Sequence, residues 1–242
     1  MAADTLFSDG AAPVDDFKFN AGVAEVFDDM LGRSIPFYNE IIGMTAQLLA
    51  RFLTPEGRVY DLGCSTGNSL IELARRLAHL DLQFIGIDNS DAMIKKARLK
   101  AEMYGKADRL HFECADIMNL NLRSPAAVIM NYTLQFIRPM IRLDFIRALY
   151  ALMPSGAVLI ISEKSINHDP LFNRAFLQFY LDFKRRQGYS EIEIARKREA
   201  LENILIPFSN AENIDLLRQA GFRHIETFFQ WFNFSSFIAL KG

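Results

Sequence analysis

Five short apolar runs, RVYDLG, LQFIGID, LHFECAD, AAVIMNY and AVLIISE, are separated by segments with apolar residues at helical spacing, among them SLIELARRLAH, DAMIKKARLKAEMY and IRLDFIRALYALM. Strand alternating with helix requires right-handed crossovers, and repeated crossovers build a parallel sheet covered on both faces. Ahead of these runs lies a mixed opening of about 30 residues, after which Ser34 and Pro36 mark a helix start before FYNEIIGMTAQLLARFL; Thr54, Pro55 and Gly57 end that helix. The chain closes with RHIETFFQWF, a tight NFSS connection and FIALKG, which read as a hairpin. Between the fifth strand and the hairpin, residues 165–209 read as a long, aromatic-rich helical insertion. Glycine and proline punctuate the chain without clustering into a linker, so one domain over residues 1–242 is expected, with 1–56 as its N-terminal helical segment.

The sharpest local signal is VYDLGCSTGNS, residues 59–69: strand, acidic residue, glycine loop, helix. Gly63 and Gly67 allow a tight turn and close approach of a ligand, and the following helix offers free N–H groups. A dinucleotide site would read G-x-G-x-x-G, but here Ser65 replaces the middle glycine and Asp61 precedes Gly63 by two residues. A carboxylate at that point repels pyrophosphate. It suits S-adenosyl-L-methionine (SAM), whose methionine end carries an ammonium group and whose sulfonium is also cationic. Glycine-rich β–α turns occur in many folds, so the later strand ends matter. Asp88 ends the second strand, where it can accept from both ribose hydroxyls, with Asn89 beside the adenine. Asp116 ends the third, able to accept the adenine amino N–H while Ile117 packs on the ring, and Asn131 ends the fourth, near where the sulfonium would lie. Each alone reads as a helix cap or turn residue. Four polar residues at successive strand ends make one site, because ligands of open parallel sheets bind outside the carboxyl ends of the strands.

By fold-level analogy, a parallel sheet finished by an antiparallel hairpin is the Rossmann-like class I methyltransferase fold, here α/β with seven strands, mostly parallel. With 50% hydrophobic residues and 21 Phe, the chain can fill such a core. Lys plus Arg (27) against Asp plus Glu (29) leaves a formal charge of -2, so no global positive field draws in nucleic acid or an anionic membrane. The two cysteines form no C-x-x-C pair and the four histidines are scattered, so no metal is expected. The acidic opening has no basic-then-apolar leader pattern, and no apolar run reaches membrane-spanning length; a cytoplasmic protein is expected.

In the insertion, Ser190 and Glu193 form a capping box, so a helix should run from about Glu191 toward Leu205. Ile194, Arg198, Leu201 and Leu205 then share a stripe, which puts Arg198 among apolar residues and Arg196 on the opposite face. A buried guanidinium needs an anion and matches a carboxylate bidentately. The residues alone favour a plainer use, an intrahelical pair with Glu202 or a side chain reaching out to water. Leu171, Phe172, Ala175, Phe176, Phe179, Tyr180 and Phe183 form an aromatic stripe expected to be core with some subunit contact, and KKARLK and KRR are expected to be solvated faces. Cys64 reads as a small residue shaping its turn rather than a nucleophile.

Along nearly its whole length the chain resembles the carboxy-S-adenosyl-L-methionine synthases, in DTLFS, VAEVFDDM, RSIPFYNEII, VYDLGCSTG, IGIDNSDAMI, NYTLQF, LIISEK, DFKRRQGYSEIEI, KREALEN and FQWFNFSSFIALK. The resemblance implies that SAM and prephenate give carboxy-SAM, phenylpyruvate and water, and that a following tRNA carboxymethyltransferase uses carboxy-SAM for 5-oxyacetyl uridine at the tRNA wobble position. Chemically, the sulfonium acidifies the methyl C–H bonds; prephenate releases carbon dioxide, and its departing hydroxide can take the methyl proton. The resemblance assigns Tyr38, Gly63, Cys64, Ser65, Asp88, Asn89, Asp116, Ile117, Asn131 and Arg198 to the ligand, with Tyr38 and Arg198 nearest the chemistry. It also implies a homodimer in which Arg198 reaches the neighbouring subunit's site, and it reverses the plainer reading of Arg198. The alternative reading is a conventional SAM-dependent methyltransferase acting on a small molecule or tRNA.

Overall fold

The computed structural model describes residues 4–8, 17–54, 56–105, 108–119 and 121–242. Its five parallel strands follow the apolar runs: β1 (Arg58–Leu62), β2 (Gln83–Asp88), β3 (Leu110–Cys114), β4 (Pro125–Asn131) and β5 (Val158–Lys164). The helices α3 (Asn68–Arg76), α4 (Asp91–Met103) and α5 (Pro139–Leu152) lie between them in the chain. Two further strands, β6 (His224–Trp231) and β7 (Phe234–Leu240), complete a sheet in the order β3-β2-β1-β4-β5-β7-β6. β7 runs antiparallel to both β5 and β6, and the other adjacent pairs are parallel. In β4, Val128, Ile129 and Met130 are all fully buried, as expected for a central strand covered on both faces. One apolar cluster, with Leu70, Phe84 and Ile160, fills one face of the sheet, and another, with Ile146, Leu159 and Phe237, fills the other. Burying each such side chain contributes about 1.5–3 kcal/mol.

Several expectations need correction. The opening is not merely mixed: α1 spans Ala21–Ser34, N-capped by Asn20, whose side chain accepts from the Val23 N–H. Gly22, Gly32 and the Asp28–Asp29 pair interrupt its pattern, although Val23, Val26, Phe27 and Met30 share a buried face. Ser34 therefore closes α1, and α2 (Tyr38–Phe52) starts after Phe37, which takes the left-handed region at φ 57°. The hairpin turns at Phe232 and Asn233 rather than through NFSS, since Phe234, Ser235 and Ser236 pair with β6.

The insertion holds α6 (Pro170–Arg186) and α7 (Glu191–Leu201), and α8 (Asn210–Ala220) follows it. The Ser190–Glu193 capping box is present, but α7 stops at Leu201, short of Leu205. The aromatic stripe of α6 is only partly core. Tyr180 is buried, Phe176 and Phe179 lean on Phe232, and Phe183 meets Trp231, whereas Leu171 and Phe172 are 72% and 55% exposed. One side of the helix packs on the hairpin, on α7 and on the end of α1, and the other side is left open. Among the described residues no helix is long and apolar enough to cross a membrane, and no group of three His, Cys, Asp or Glu residues is placed to hold a metal ion.

Candidate functional site

The loop after β1 turns on residues that need the left-handed region: Gly63 at φ 79°, Ser65 at φ 49° and Gly67 at φ 73°. A Cβ at Gly63 would stand 2.5 Å from Thr133 Oγ1, and one at Gly67 would stand 2.7 Å from the Phe112 ring, so both positions require glycine. The Gly63 and Cys64 N–H groups donate to the Ile87 carbonyl, which fastens the loop to β2. Asp88 fastens it again: its carboxylate accepts from the Ser65 N–H and the Ser90 N–H, each at 2.9 Å. Across the loop, the Tyr38 hydroxyl shares a 2.8 Å hydrogen bond with Ser69 Oγ at the start of α3. Burial raises the Tyr38 phenol well above its ordinary range, so it serves as a neutral hydroxyl and not as a base.

All eleven expected site residues, Tyr38, Asp61, Gly63, Cys64, Ser65, Asp88, Asn89, Asp116, Ile117, Asn131 and Arg198, line one cavity of about 660 Å³. That volume suits a small-molecule ligand. Asp61 Oδ1 and Asn131 Oδ1 are buried with no hydrogen-bond partner, and orphaned acceptors at a cavity wall call for donors from a ligand. Desolvation, with Asp88 nearby as a lesser cause, pushes the Asp61 carboxyl up to about 7. Burial raises Asp88 as well, against its two N–H donors. Asp116 is exposed two residues past the end of β3, where its Oδ1 accepts from the Met118 N–H. Cys64 is buried, and burial with Asp61 and Asp88 pushes its thiol up, so it is no nucleophile.

Arg198 departs from expectation in its burial. It is exposed, because the buried face of α7 is formed by Ile194, Lys197 and Ala200. It also lines the cavity of its own chain. Among the described residues no ion pair joins Arg198 to Glu202.

Other wall residues carried no sequence signal of their own. Lys184 was expected on a solvated face with its KRR neighbours, yet it is 6% exposed and lines the cavity. It falls four residues after Tyr180, on the buried side of α6. Burial and the charges of Lys197 and Lys164 push its ammonium down to about 7. Lys197 lies buried on α7, donating to Ser34 Oγ at 2.9 Å and pairing with Asp4 at 3.3 Å, and burial pushes it down to about 8. Lys164 joins them from the end of β5. Glu163 beside it faces away from the cavity and accepts from the Leu134 and Gln135 N–H groups, each at 2.9 Å, which sets the turn carrying Tyr132 and Thr133. The wall is thus uneven in charge: carboxylates gather at the ends of the first three strands, while the side of β5 and the insertion brings Lys164, Lys184, Lys197 and Arg198 against a single carboxylate, Glu202, and Arg138 adds a guanidinium from the start of α5. Such a wall can hold a cation and an anion side by side while apolar residues such as Phe27, Met30 and Leu181 exclude water.

A family profile described as a methyltransferase domain matches residues 59–156. A carboxy-S-adenosyl-L-methionine synthase of Desulfotalea psychrophila is 54% identical over 238 residues, covering 98% of this chain and 97% of that protein. Proteins of the same name from Nautilia profundicola and Methylococcus capsulatus are 46% and 41% identical, covering 93% and 100% of this chain and 94% and 100% of theirs. Among solved structures, an O-methyltransferase family protein from Burkholderia thailandensis superposes with a TM-score of 0.69 at 14% identity, over 97% of this chain and 66% of that one. Magnesium protoporphyrin IX methyltransferase from Synechocystis, with bound SAM, gives 0.57 at 18% identity, over 84% and 79%. The solved structures speak for the fold.

Proposed function

This chain belongs to the carboxy-S-adenosyl-L-methionine synthase family, and from that premise we propose that it converts SAM and prephenate to carboxy-SAM, phenylpyruvate and water. It is an enzyme that uses SAM. When bound, the sulfonium of SAM supplies a methyl group acidic enough to lose a proton and take up a carboxyl group. The protein's own residues bind and position. Asp61 receives the ligand's ammonium, Asp88 and Asn89 the ribose, Asp116 and Ile117 the adenine, and Asn131 faces the reacting centre with Tyr38 nearby. Arg198 holds the carboxylate of the product. Among the described residues no histidine lines the cavity, which agrees with a reaction whose proton acceptor is brought in by the second substrate.

The observation that carries this reading is the uneven charge of the cavity wall, because SAM alone gives the cationic side too little to do. The test is the mass of the ligand extracted from purified protein. Carboxy-SAM is expected; SAM alone, from cells with an intact prephenate supply, would favour conventional methyl transfer. The same proposal makes the protein cytoplasmic and supplies its product to a tRNA carboxymethyltransferase, without binding nucleic acid directly. It includes a homodimer, supported by the exposed Leu171, Phe172 and Phe179 of α6. Sedimentation should give twice the 27.6 kDa chain mass, and a monomer at micromolar concentration would remove that part.

A further inference from the structure

An ammonium group withdrawn from water is ordinarily paired. Lys197 obeys, through Asp4 and Ser34. The buried Lys184 and the half-buried Lys164 do not: among the described residues neither Nζ has a carboxylate within salt-bridge distance or a hydrogen-bond acceptor. What they share is a ring. Their Nζ atoms lie 5.0 and 5.1 Å from the centroid of Tyr180, whose hydroxyl donates to the Ser34 carbonyl and so fixes the ring. A ring face offsets only part of the charge. All three side chains line the cavity.

The anion that belongs there is not the carboxylate of SAM's own methionine end. That carboxylate shares a carbon with the ammonium expected on Asp61 of β1, whereas Lys164 lies on β5, beyond β4 in the sheet. Two strand spacings separate them, about 10 Å. Asn131 on β4 lies between. We infer that Lys164 and Lys184, set about Tyr180, form the seat for the second substrate, and that this seat selects a small dicarboxylate. Two cations matching two carboxylates bring that substrate up to the β4 end, opposite the SAM side. The inference rests on the function proposed above and specifies which groups recognise the co-substrate.

Lys184 is faced by Tyr180 on its own helix, Lys164 from β5, Lys197 from α7, Tyr189 from the connection between α6 and α7, and Asp4 from the N-terminal segment. Burial first, then the charges of Lys197 and Lys164, hold its ammonium down at about 7 against the opposing pull of Asp4, and a bound dianion would favour the charged form. The KM for prephenate should therefore rise as pH rises through about 7.

The experiment varies prephenate at saturating SAM, using the full chain and the variants Lys164→Met, Lys184→Met and Lys184→Arg. Each Met variant should raise the prephenate KM roughly tenfold, and the double variant about a hundredfold, with the SAM Kd held within about twofold. Lys184→Arg should restore most of the loss, and Lys184→Met should flatten the pH dependence. An unchanged prephenate KM in folded Met variants would overturn the inference. So would equal losses of SAM affinity, which would place SAM's own carboxylate between the lysines. Calorimetric titration of prephenate into the ligand-free protein separates the two readings. If the wild type binds prephenate through these lysines but makes no carboxy-SAM, the proposed function fails while the seat stands; turnover with lysine-independent binding means the reverse.

Discussion

Asp61→Asn is expected to stabilise the ligand-free protein at pH 8 and to weaken SAM binding about a hundredfold. Both effects come from one buried carboxyl. Asp61 is 2% exposed, its Oδ1 accepts no hydrogen bond, and burial with Asp88 nearby raises it to about 7. In the unfolded chain the same carboxyl ionises near 3.8. Between those values the unfolded state sheds a proton that the folded state keeps, so the folded state loses stability as pH rises from about 4 to about 7. Above 7 the accumulated cost is about 2–4 kcal/mol. Asparagine never ionises, and a gain of about 2 kcal/mol at pH 8 would appear as roughly 4–8 °C in Tm. At pH 4 the two proteins should melt together.

Binding runs the opposite way. A cationic ammonium next to Asp61 favours the carboxylate, so the wild-type Kd for SAM should fall as pH rises toward 7, then level off and rise once the ligand's own α-amino group deprotonates near 8. Asp61→Asn should lose the acidic limb of that profile together with about 3 kcal/mol of affinity. Thermal melts at pH 4 and 8 and calorimetry across pH 5.5–8.5 check both halves. A variant less stable than wild type at pH 8 that binds SAM normally would take Asp61 out of the site.

The sheet was legible because buried parallel strands leave continuous apolar runs, and β1 to β5 each fall on one. The SAM side was legible for a related reason: the fold delivers its ligand groups at strand ends, which sequence marks as polar residues after apolar ones. Asp61, Asp88 and Asn131 obey that rule, and the structure brings them to one cavity. The cationic wall was less so. Lys184 sits inside a charge run, and only its relation to Tyr180 one turn earlier separates it from Arg185 and Arg186, both of which are exposed. Lys197 and Arg198 exchanged roles for a similar reason. The stripe drawn through Arg198 assumed a helix reaching Leu205, but α7 ends at Leu201 and packs the face of Ile194, Lys197 and Ala200, where Lys197 meets Asp4 from nearly the full length of the chain away. A partner of 193 residues' separation leaves no local periodicity to read.

Arg198→Ala should weaken carboxy-SAM roughly thirtyfold and SAM by no more than about twofold. The guanidinium lines the cavity on the cationic side, is not tied to Glu202, and sits on a helix whose start is secured by the Ser190–Glu193 capping box, so its removal should leave α7 folded. SAM lacks the carboxylate that distinguishes the product, and the loss should fall on one ligand. Its size is set by exposure. A bidentate charge-assisted contact in a dry site would be worth about 3 kcal/mol, but the exposed Arg198 side chain keeps contact with water, which reduces this to about 2 kcal/mol. The comparison with Lys184 adds a second axis. Lys184→Met should raise the prephenate KM and leave the carboxy-SAM Kd nearly intact, whereas Arg198→Ala should do the reverse, because one cation receives the incoming dicarboxylate and the other the carboxyl group after transfer. Calorimetry with SAM and carboxy-SAM on one preparation of each variant, shown by circular dichroism and sedimentation to match the wild type, measures the split. If Arg198→Ala costs both adenosyl ligands equally, the guanidinium supports the cavity wall and does not read the carboxylate.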